Sequence, residues 1–358
     1  MIACYVWTNT QLINALNAKI SLYANEDVTL FVLMIDRISA SLLKCIEQLK
    51  AFAKIICIDP PPIFKELPTW PRRIRLLLYG KSYQRYFNNY IGKNHYNSLL
   101  VGGYWSYAFF VLRAMYNNNA KLRVVLLEEG IGSYYRTRAR ICQVWPRTCF
   151  AELITRYIYF GKFARVAVSL IKLIVVYKPE YVRIKDVPVI AMPPISKNFI
   201  YFKQLFKCGF PVKQYQPFIK KQAYMFPMPS SKTEETEQII WRKLQTYFPH
   251  SLYLEHPDES IKEPIPFEVL CTHIDLSDSL LLGFCSSCML YPKYCFEQEP
   301  YVIFTHWIHG PESGLSVSEA QAYAEDLQKS YGNPQKVLIP RCMSDLECVL
   351  SNIKLKQV

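Results

Sequence analysis

Short apolar runs recur along this chain at the length of a buried strand, each closed by a polar or glycine-bearing turn and followed by a segment with helical spacing. Met1 to Trp7 reads as a strand ending at Thr8-Asn9-Thr10, with a helix from Leu12 onward. Val28 to Ile35 is a second strand, and Ser41 to Phe52 again has helical spacing. Ile55 to Ile58 is a third strand, stopped by Asp59 and three prolines; Leu99 to Gly102 and Val124 to Leu127 continue the series. Runs apolar throughout belong to strands covered on both faces. Their alternation with helices predicts parallel sheet flanked by helices, in which ligands bind beyond the carboxyl ends of the strands.

The middle of the chain is different. Phe160 to Tyr177 is apolar but carries Lys162, Arg165 and Lys172. It is too short to span a bilayer and fits two descriptions, a helix lying on an anionic leaflet or a buried helix between domains. Pro179, Pro188, Pro193 and Pro194 then break regular structure, placing a boundary near residues 180–200. The expectation is an N-terminal domain over 1–180 and a C-terminal domain over 181–358. Ala223 to Phe226, Ser251 to Leu254, Leu280 to Phe284, Val302 to Phe304 and Val337 to Ile339 read as strands of the second domain. The length of 358 residues fits about two domains, and no internal repeat is evident.

With 51% hydrophobic and 20% charged residues the chain is no disordered polyelectrolyte. Its net charge of +13 points to an anionic partner: nucleic acid, a phospholipid surface or an anionic substrate. Against nucleic acid, there is no helix-turn-helix, RNP-like or zinc-finger signature, and the positive charge is dispersed over both halves. The start, MIACYVWTNTQL, has no basic region and its apolar run is interrupted, so no signal peptide is expected. The twelve cysteines are therefore expected to be reduced, buried small hydrophobes of a cytosolic protein. No run reaches the roughly 18–20 apolar residues of a membrane span.

Three places carry chemistry. In Leu126-Leu127-Glu128-Glu129-Gly130-Ile131-Gly132 two acids stand at the mouth of a buried strand, before glycines that permit a tight turn. Adjacent carboxylates repel, so one can hold a raised pKa and serve as a general base near neutrality; a solvated turn has the same local pattern. In Glu255-His256-Pro257-Asp258 the proline favours an extended histidine, able to donate to a phosphate or act as an acid, or simply to lie on the surface. In Gly283-Phe284-Cys285-Ser286-Ser287-Cys288 a strand runs into two serines at a helix start, a pattern suited to phosphate. The Cys285-x-x-Cys288 spacing is also a redox or zinc half-motif with Cys271, His273 and Cys295 in reach, but no second C-x-x-C completes it.

Taken in order, Glu128-Glu129-Gly130, His256-Pro257 and Ser286-Ser287 resemble the D/E-D/E-G, HP and S-S/T motifs of the bacterial lipooligosaccharide sialyltransferase and capsule polysialyltransferase families. The segment TNTQLINALNA is similar to their first strand–loop–helix, and the resemblance spans about residues 8 to 290. It implies a GT-B-type α/β fold, two Rossmann-like domains facing across a cleft, and an inverting, metal-independent glycosyltransferase. The donor implied is CMP-sialic acid or a related CMP-nonulosonate, a substrate rather than a cofactor. Glu129 would take the acceptor's proton, with Glu128 tuning it or exchanging roles. His256, Pro257, Ser286, Ser287 and Gly130 would hold the CMP part. Thr8, Asn9, Thr10, Tyr104 and Arg136 would lie on the acceptor side, facing a bacterial surface glycan. No metal and no cofactor are expected.

Further expectations have plainer alternatives. Arg136, Arg138 and Arg140 follow the acidic motif and suit an anionic acceptor or a solvated helix face. Tyr104, Trp105 and Tyr107 suit a sugar face or ordinary packing. Arg72, Arg73, Arg75, Lys81 and Arg85 suit a membrane surface. The implied setting is the bacterial cytoplasm, peripheral to the inner face of the cytoplasmic membrane, as a homodimer. The alternatives are a CMP-Kdo-type transferase of the same fold, a basic nucleic-acid-binding protein, and an inactive scaffold.

Overall fold

A computed structural model describes residues 1–34, 38–60, 72–103, 107–135, 161–210, 221–227, 234–254, 266–310 and 317–355. The chain divides into two compact units. The first comprises Met1–Ile38 and Ile46–Met192, and the second Ser39–Cys45 and Pro193–Val358. Both are parallel α/β units of Rossmann-like type, as the strand–helix alternation implies.

The first unit holds a seven-stranded sheet: β1 (Ile2–Val6), β2 (Val28–Leu33), β3 (Lys54–Ile58), β4 (Ser98–Val101), β5 (Arg123–Leu127), β6 (Ile171–Val176) and β7 (Val189–Ala191). Its order is β3-β2-β1-β4-β5-β6-β7, every pairing parallel. The chain winds outward from β1 to β3, then returns to lay β4 on the other side of β1. The switch in winding direction therefore falls between β1 and β4, where connections leave in opposite senses and open a crevice at the carboxyl ends. β2 is buried along its whole length, and β1, β4 and β5 over all but their first residue, which is why they read as continuous apolar runs.

Two expectations for the middle of the chain are corrected. Phe160 to Tyr177 is not one interfacial or inter-domain helix: the helix is Gly161–Leu170, and Ile171–Val176 is strand β6 between β5 and β7. β-branched Ile171, Ile174, Val175 and Val176 pack well on a pleated surface, and all four are buried. Within the boundary region expected at 180–200 the division falls after Met192 and not at 180, because β7 pairs with β6 and keeps the chain in the first unit to that point.

The second unit is built on a five-stranded parallel sheet of β8 (Ala223–Phe226), β9 (Ser251–Tyr253), β10 (Leu280–Gly283), β11 (Tyr301–Phe304) and β12 (Val337–Leu338). The order is β12-β11-β10-β8-β9, so the winding switches between β8 and β10. One face of the sheet is packed by Ile240, Leu244 and Phe248 of the helix Glu234–Tyr247 and its end, and by Leu346 and Leu350 of the helix Met343–Asn352. These meet Ala223, Met225, Leu280, Leu282 and Ile303. Fully burying such an aliphatic side chain is worth about 1.5–3 kcal/mol.

The cysteine expectation is corrected too. Cys45 and Cys208 form a disulfide, with Cα atoms 6.3 Å apart, within the usual bridging range. The partners lie 163 residues apart in sequence, a pairing that spacing does not disclose. Among the described residues, Cys4, Cys271 and Cys295 are buried free thiols, as expected. No helix among the described residues is long and apolar enough to cross a membrane.

Candidate functional site

At the switch point of the first sheet, the carboxyl ends of β1, β4, β5 and β6 bring together residues far apart in sequence. After β1, Thr8 caps the helix Asn9–Ser21, its hydroxyl accepting from Gln11 N at 3.2 Å. This fixes the first turn and aims the Gln11 side chain back at the strand ends. Gln11 Oε1 accepts from Trp7 N at 3.0 Å, so Nε2 faces the other way and donates to Glu129 Oε1 at 2.6 Å. Gly102, just past β4, makes room for that pair. A Cβ there would sit 3.2 Å from Gln11 Nε2 and 3.3 Å from Glu129 Cβ.

The two adjacent acids are in opposite situations. Glu128 is 1% exposed and Glu129 only partly buried. Around Glu128, Tyr134 Oη donates to Oε2 at 2.5 Å and Gly130 N to Oε1 at 3.1 Å, with Tyr177 N at 3.4 Å from Oε2. Burial dominates those three bonds and, with a smaller contribution from the neighbouring Glu129 charge, pushes the Glu128 carboxyl up to about 8. At neutral pH it is mostly protonated. Its backbone is held as firmly: Glu128 N donates to Val175 O at 2.9 Å and Asn14 Nδ2 to Glu128 O at 3.0 Å, while Tyr177 Oη donates to Asn14 Oδ1 at 2.7 Å. Glu129 N donates to Ser133 Oγ at 2.8 Å, and Gly130 turns the chain with φ of +93°. The raised carboxyl is thus the buried Glu128, through desolvation far more than through repulsion by its neighbour, which differs from the expectation of a repulsion-raised base; Glu129 is the accessible member of the pair.

Other expected residues fall as follows. Thr8, Asn9 and Thr10 stand at the same sheet end as Glu129, but the Thr8 hydroxyl is occupied as a helix cap and Asn9 is buried. Gly130 belongs with the acid pair in the first unit, where its N–H is taken by Glu128. Tyr107 is buried against Tyr83 and Phe87, which is packing. Arg85 is exposed on the helix Arg72–Ile91. Tyr104, Trp105, Arg136, Arg138, Arg140, His256 and Pro257 lie outside the described residues, as do the side chains of Arg72, Arg73, Arg75, Lys81, Lys162 and Arg165.

In the second unit Ser286 and Ser287 stand at the carboxyl end of β10, beside the β8–β10 switch. Ser286 Oγ accepts from Cys288 N at 3.3 Å, capping the 3-10 turn Ser287–Met289. Burial raises the thiols of Cys285 and Cys288, the latter to about 12, so both are held as neutral SH groups. Among the described residues no group of three or more His, Cys, Asp or Glu is placed to hold a metal.

Sequence reasoning passed over Gln11, Asn14, Tyr134 and Tyr177, and in the second unit His306 and His309. For the first pair a signal exists: Gln11, Asn14 and Asn17 recur every three residues on a helix otherwise rich in Leu, Ile and Ala, a polar line on a buried helix. His306 and His309 follow β11 directly. Trp307 Nε1 can only donate, so the Gln321 atom it reaches at 2.9 Å is oxygen; His306 Nε2, 3.0 Å from the same oxygen, therefore carries a hydrogen. His306 Nδ1 is buried with no hydrogen-bond partner among the described residues. His309 Nδ1 donates to Thr305 O at 2.9 Å, and its Nε2 stands 3.9 Å from Glu237 Oε1. Burial lowers the pKa of both rings.

No family model matches this chain, and no curated protein matches it. Among solved structures, it is similar to UDP-GlcNAc 2-epimerase from Neisseria meningitidis bound to UDP-GlcNAc, with 12% identity and a TM-score of 0.47 over 99% of each chain. It is also similar to a UDP-N-acetylglucosamine 2-epimerase, with 10% identity and a TM-score of 0.45 over 98% of this chain and 94% of that one. At such values the likeness carries nothing about chemistry. The resemblance to bacterial sialyltransferases is corrected: no family model and no curated protein of that kind matches this chain, and the similar solved structures are named as epimerases. The physical reason lies in the motifs. Any doubly wound parallel sheet places acids, glycines and serines in the turns after its strands, so short matches in order arise from the architecture alone.

Proposed function

We propose that this protein is an enzyme acting on a nucleotide-activated sugar, with Glu129 as its general base. The observation that carries this reading is the pair of unlike carboxyls at the β1/β4 switch point. Glu129 is partly exposed and gripped by Gln11, and Glu128 beneath it is buried and pushed up to about 8. A protonated Glu128 places no full negative charge beside Glu129, and the partly exposed Glu129 is the acid we assign to take the proton. Two doubly wound units, each with its own switch point, support a nucleotide-bearing substrate.

The reaction we propose is transfer of the glycosyl group to an acceptor hydroxyl with inversion at the anomeric carbon. Glu129 accepts the hydroxyl proton as the oxygen attacks, the bond to the nucleotide phosphate breaks, and the phosphate leaves with the bonding electrons. The second unit would hold the nucleotide beyond β8 and β10, where Ser287 and the backbone N–H groups after Gly283 stand. No step is routed through a metal ion or cofactor.

The test is release of nucleotide from a panel of CMP- and UDP-linked sugars by the full chain, with and without sugar acceptors. Acceptor-dependent release from one of them, falling by roughly 100-fold or more in Glu129→Ala, is expected. Unchanged turnover in that variant removes Glu129 as the base. An isomerised sugar still attached to its nucleotide contradicts transfer.

A further inference from the structure

The helix Phe199–Gly209 of the second unit has two unlike faces. Phe202, Leu205, Phe206 and Gly209 are buried, whereas Ile200, Lys203, Gln204 and Lys207 are exposed, as is Lys197 just before the helix. Positions 200, 203, 204 and 207 recur at three and four, so they share one face, and Lys197 stands in the 3-10 turn that leads into the helix. Ile200 is 74% exposed, more than any other exposed large hydrophobic side chain among the described residues. Phe199 and Tyr201 beside it are half-buried, with Lys203 Nζ 5.6 Å over the Phe199 ring. No acid occurs between Ile195 and Phe210; Glu297 reaches the turn before the helix, accepting from Ser196 Oγ at 3.2 Å. The last turn is tied down by the Cys45–Cys208 disulfide.

A single exposed isoleucine is ordinary. An aliphatic tip flanked by aromatic rings and ringed by lysines, on one face of a helix whose other face is firmly packed, is the chemistry of an interfacial helix. We propose that this face docks on an anionic phospholipid surface. Ile200 and Phe199 enter the boundary between headgroups and acyl chains, and Lys197, Lys203 and Lys207 meet lipid phosphates. Charge complementarity argues for this occupant, given a chain of net charge +13 and a patch of three lysines without an acid on the helix. The apolar tip favours lipid over nucleic acid, whose phosphates would meet lysines but give Ile200 nothing to enter.

The test is co-sedimentation of the full chain with vesicles of phosphatidylcholine alone or mixed equally with phosphatidylglycerol. Binding to the mixed vesicles alone, weakened by salt, is expected. Lys203→Ala with Lys207→Ala should lower the partition coefficient on the order of tenfold or more. Ile200→Ser should lower it several-fold at unchanged charge. Lys121→Ala, an exposed lysine elsewhere, should leave it within twofold (roughly the spread of one distant charge). Thermal melts check that each variant is folded. Equal binding by Lys121→Ala and the double lysine variant, no effect of Ile200→Ser, or tighter capture by duplex DNA than by vesicles with Ile200 irrelevant would each overturn the proposal.

Discussion

The two units share an architecture and bury titratable groups of opposite type, each held in its uncharged form. At the carboxyl end of the first sheet the buried titratable group is an acid, Glu128, held by Tyr134 and Gly130 and kept protonated up to about pH 8. At the carboxyl end of the second sheet two histidines are kept neutral, one whose Nδ1 has no partner among the described residues and one facing Glu237. Both sites follow strands of a doubly wound sheet, and nothing in the strand pattern distinguishes them. The architecture supplies the position beyond the strands; the side chains that cross between strand ends decide the chemistry.

The comparison is broken most sharply at Glu129. Glu129→Ala should lower turnover by roughly 10²–10⁴-fold while leaving nucleotide affinity within about threefold. Equal losses of affinity and turnover would make it a binding group. Glu128 sharpens the electrostatic half. The folded carboxyl titrates above its unfolded value of 4.5, so its contribution is complete below about pH 4.5 and is lost as pH rises to about 8. Glu128→Gln, which cannot ionise, should gain stability relative to wild type across that window in denaturant titrations; parallel curves for the two proteins would refute the buried acid. The histidines run the other way. Their folded pKa values lie below 6.5, so their contribution is present above that value and falls on acidification, and His306→Gln should flatten the acid limb.

Gly283 tests packing apart from charge. A Cβ there would lie 2.8 Å from the Phe226 carbonyl oxygen, so Gly283→Ala should cost about 1–3 kcal/mol through a shift of β10 against β8. A neutral result would mean that the two strands separate without cost. Smallest is Gln11→Leu. It removes the 2.6 Å bond to Glu129 and should lower turnover by about tenfold, with stability changed by less than the Gly283 variant.

Much of this fold is legible along the chain, because strands buried on both faces read as apolar runs whatever their neighbours. β1, β2, β5, β8, β10 and β11 are of that kind. β6 is harder to see, since Lys172 and the preceding helical stretch disguise it, and β7 is three residues behind a proline. The acid pair is legible as a pair, but the difference between its members is not. That difference depends on Tyr134, Tyr177 and Gln11, the last 118 residues away in sequence, and on Gly102 leaving room. The Cys45–Cys208 bridge is hidden for the same reason: closeness in space with no trace in spacing. The family resemblance failed where the motifs described turns that any parallel sheet of this kind produces.

The central claim, a nucleotide-sugar enzyme with a base separate from its nucleotide site, is tested most directly by calorimetric titration of the full chain with CMP and UDP. Wild type and Glu129→Ala should bind the same one of the two with similar affinity, while Ser287→Ala binds it more weakly. Binding of neither nucleotide to the wild type would contradict the account.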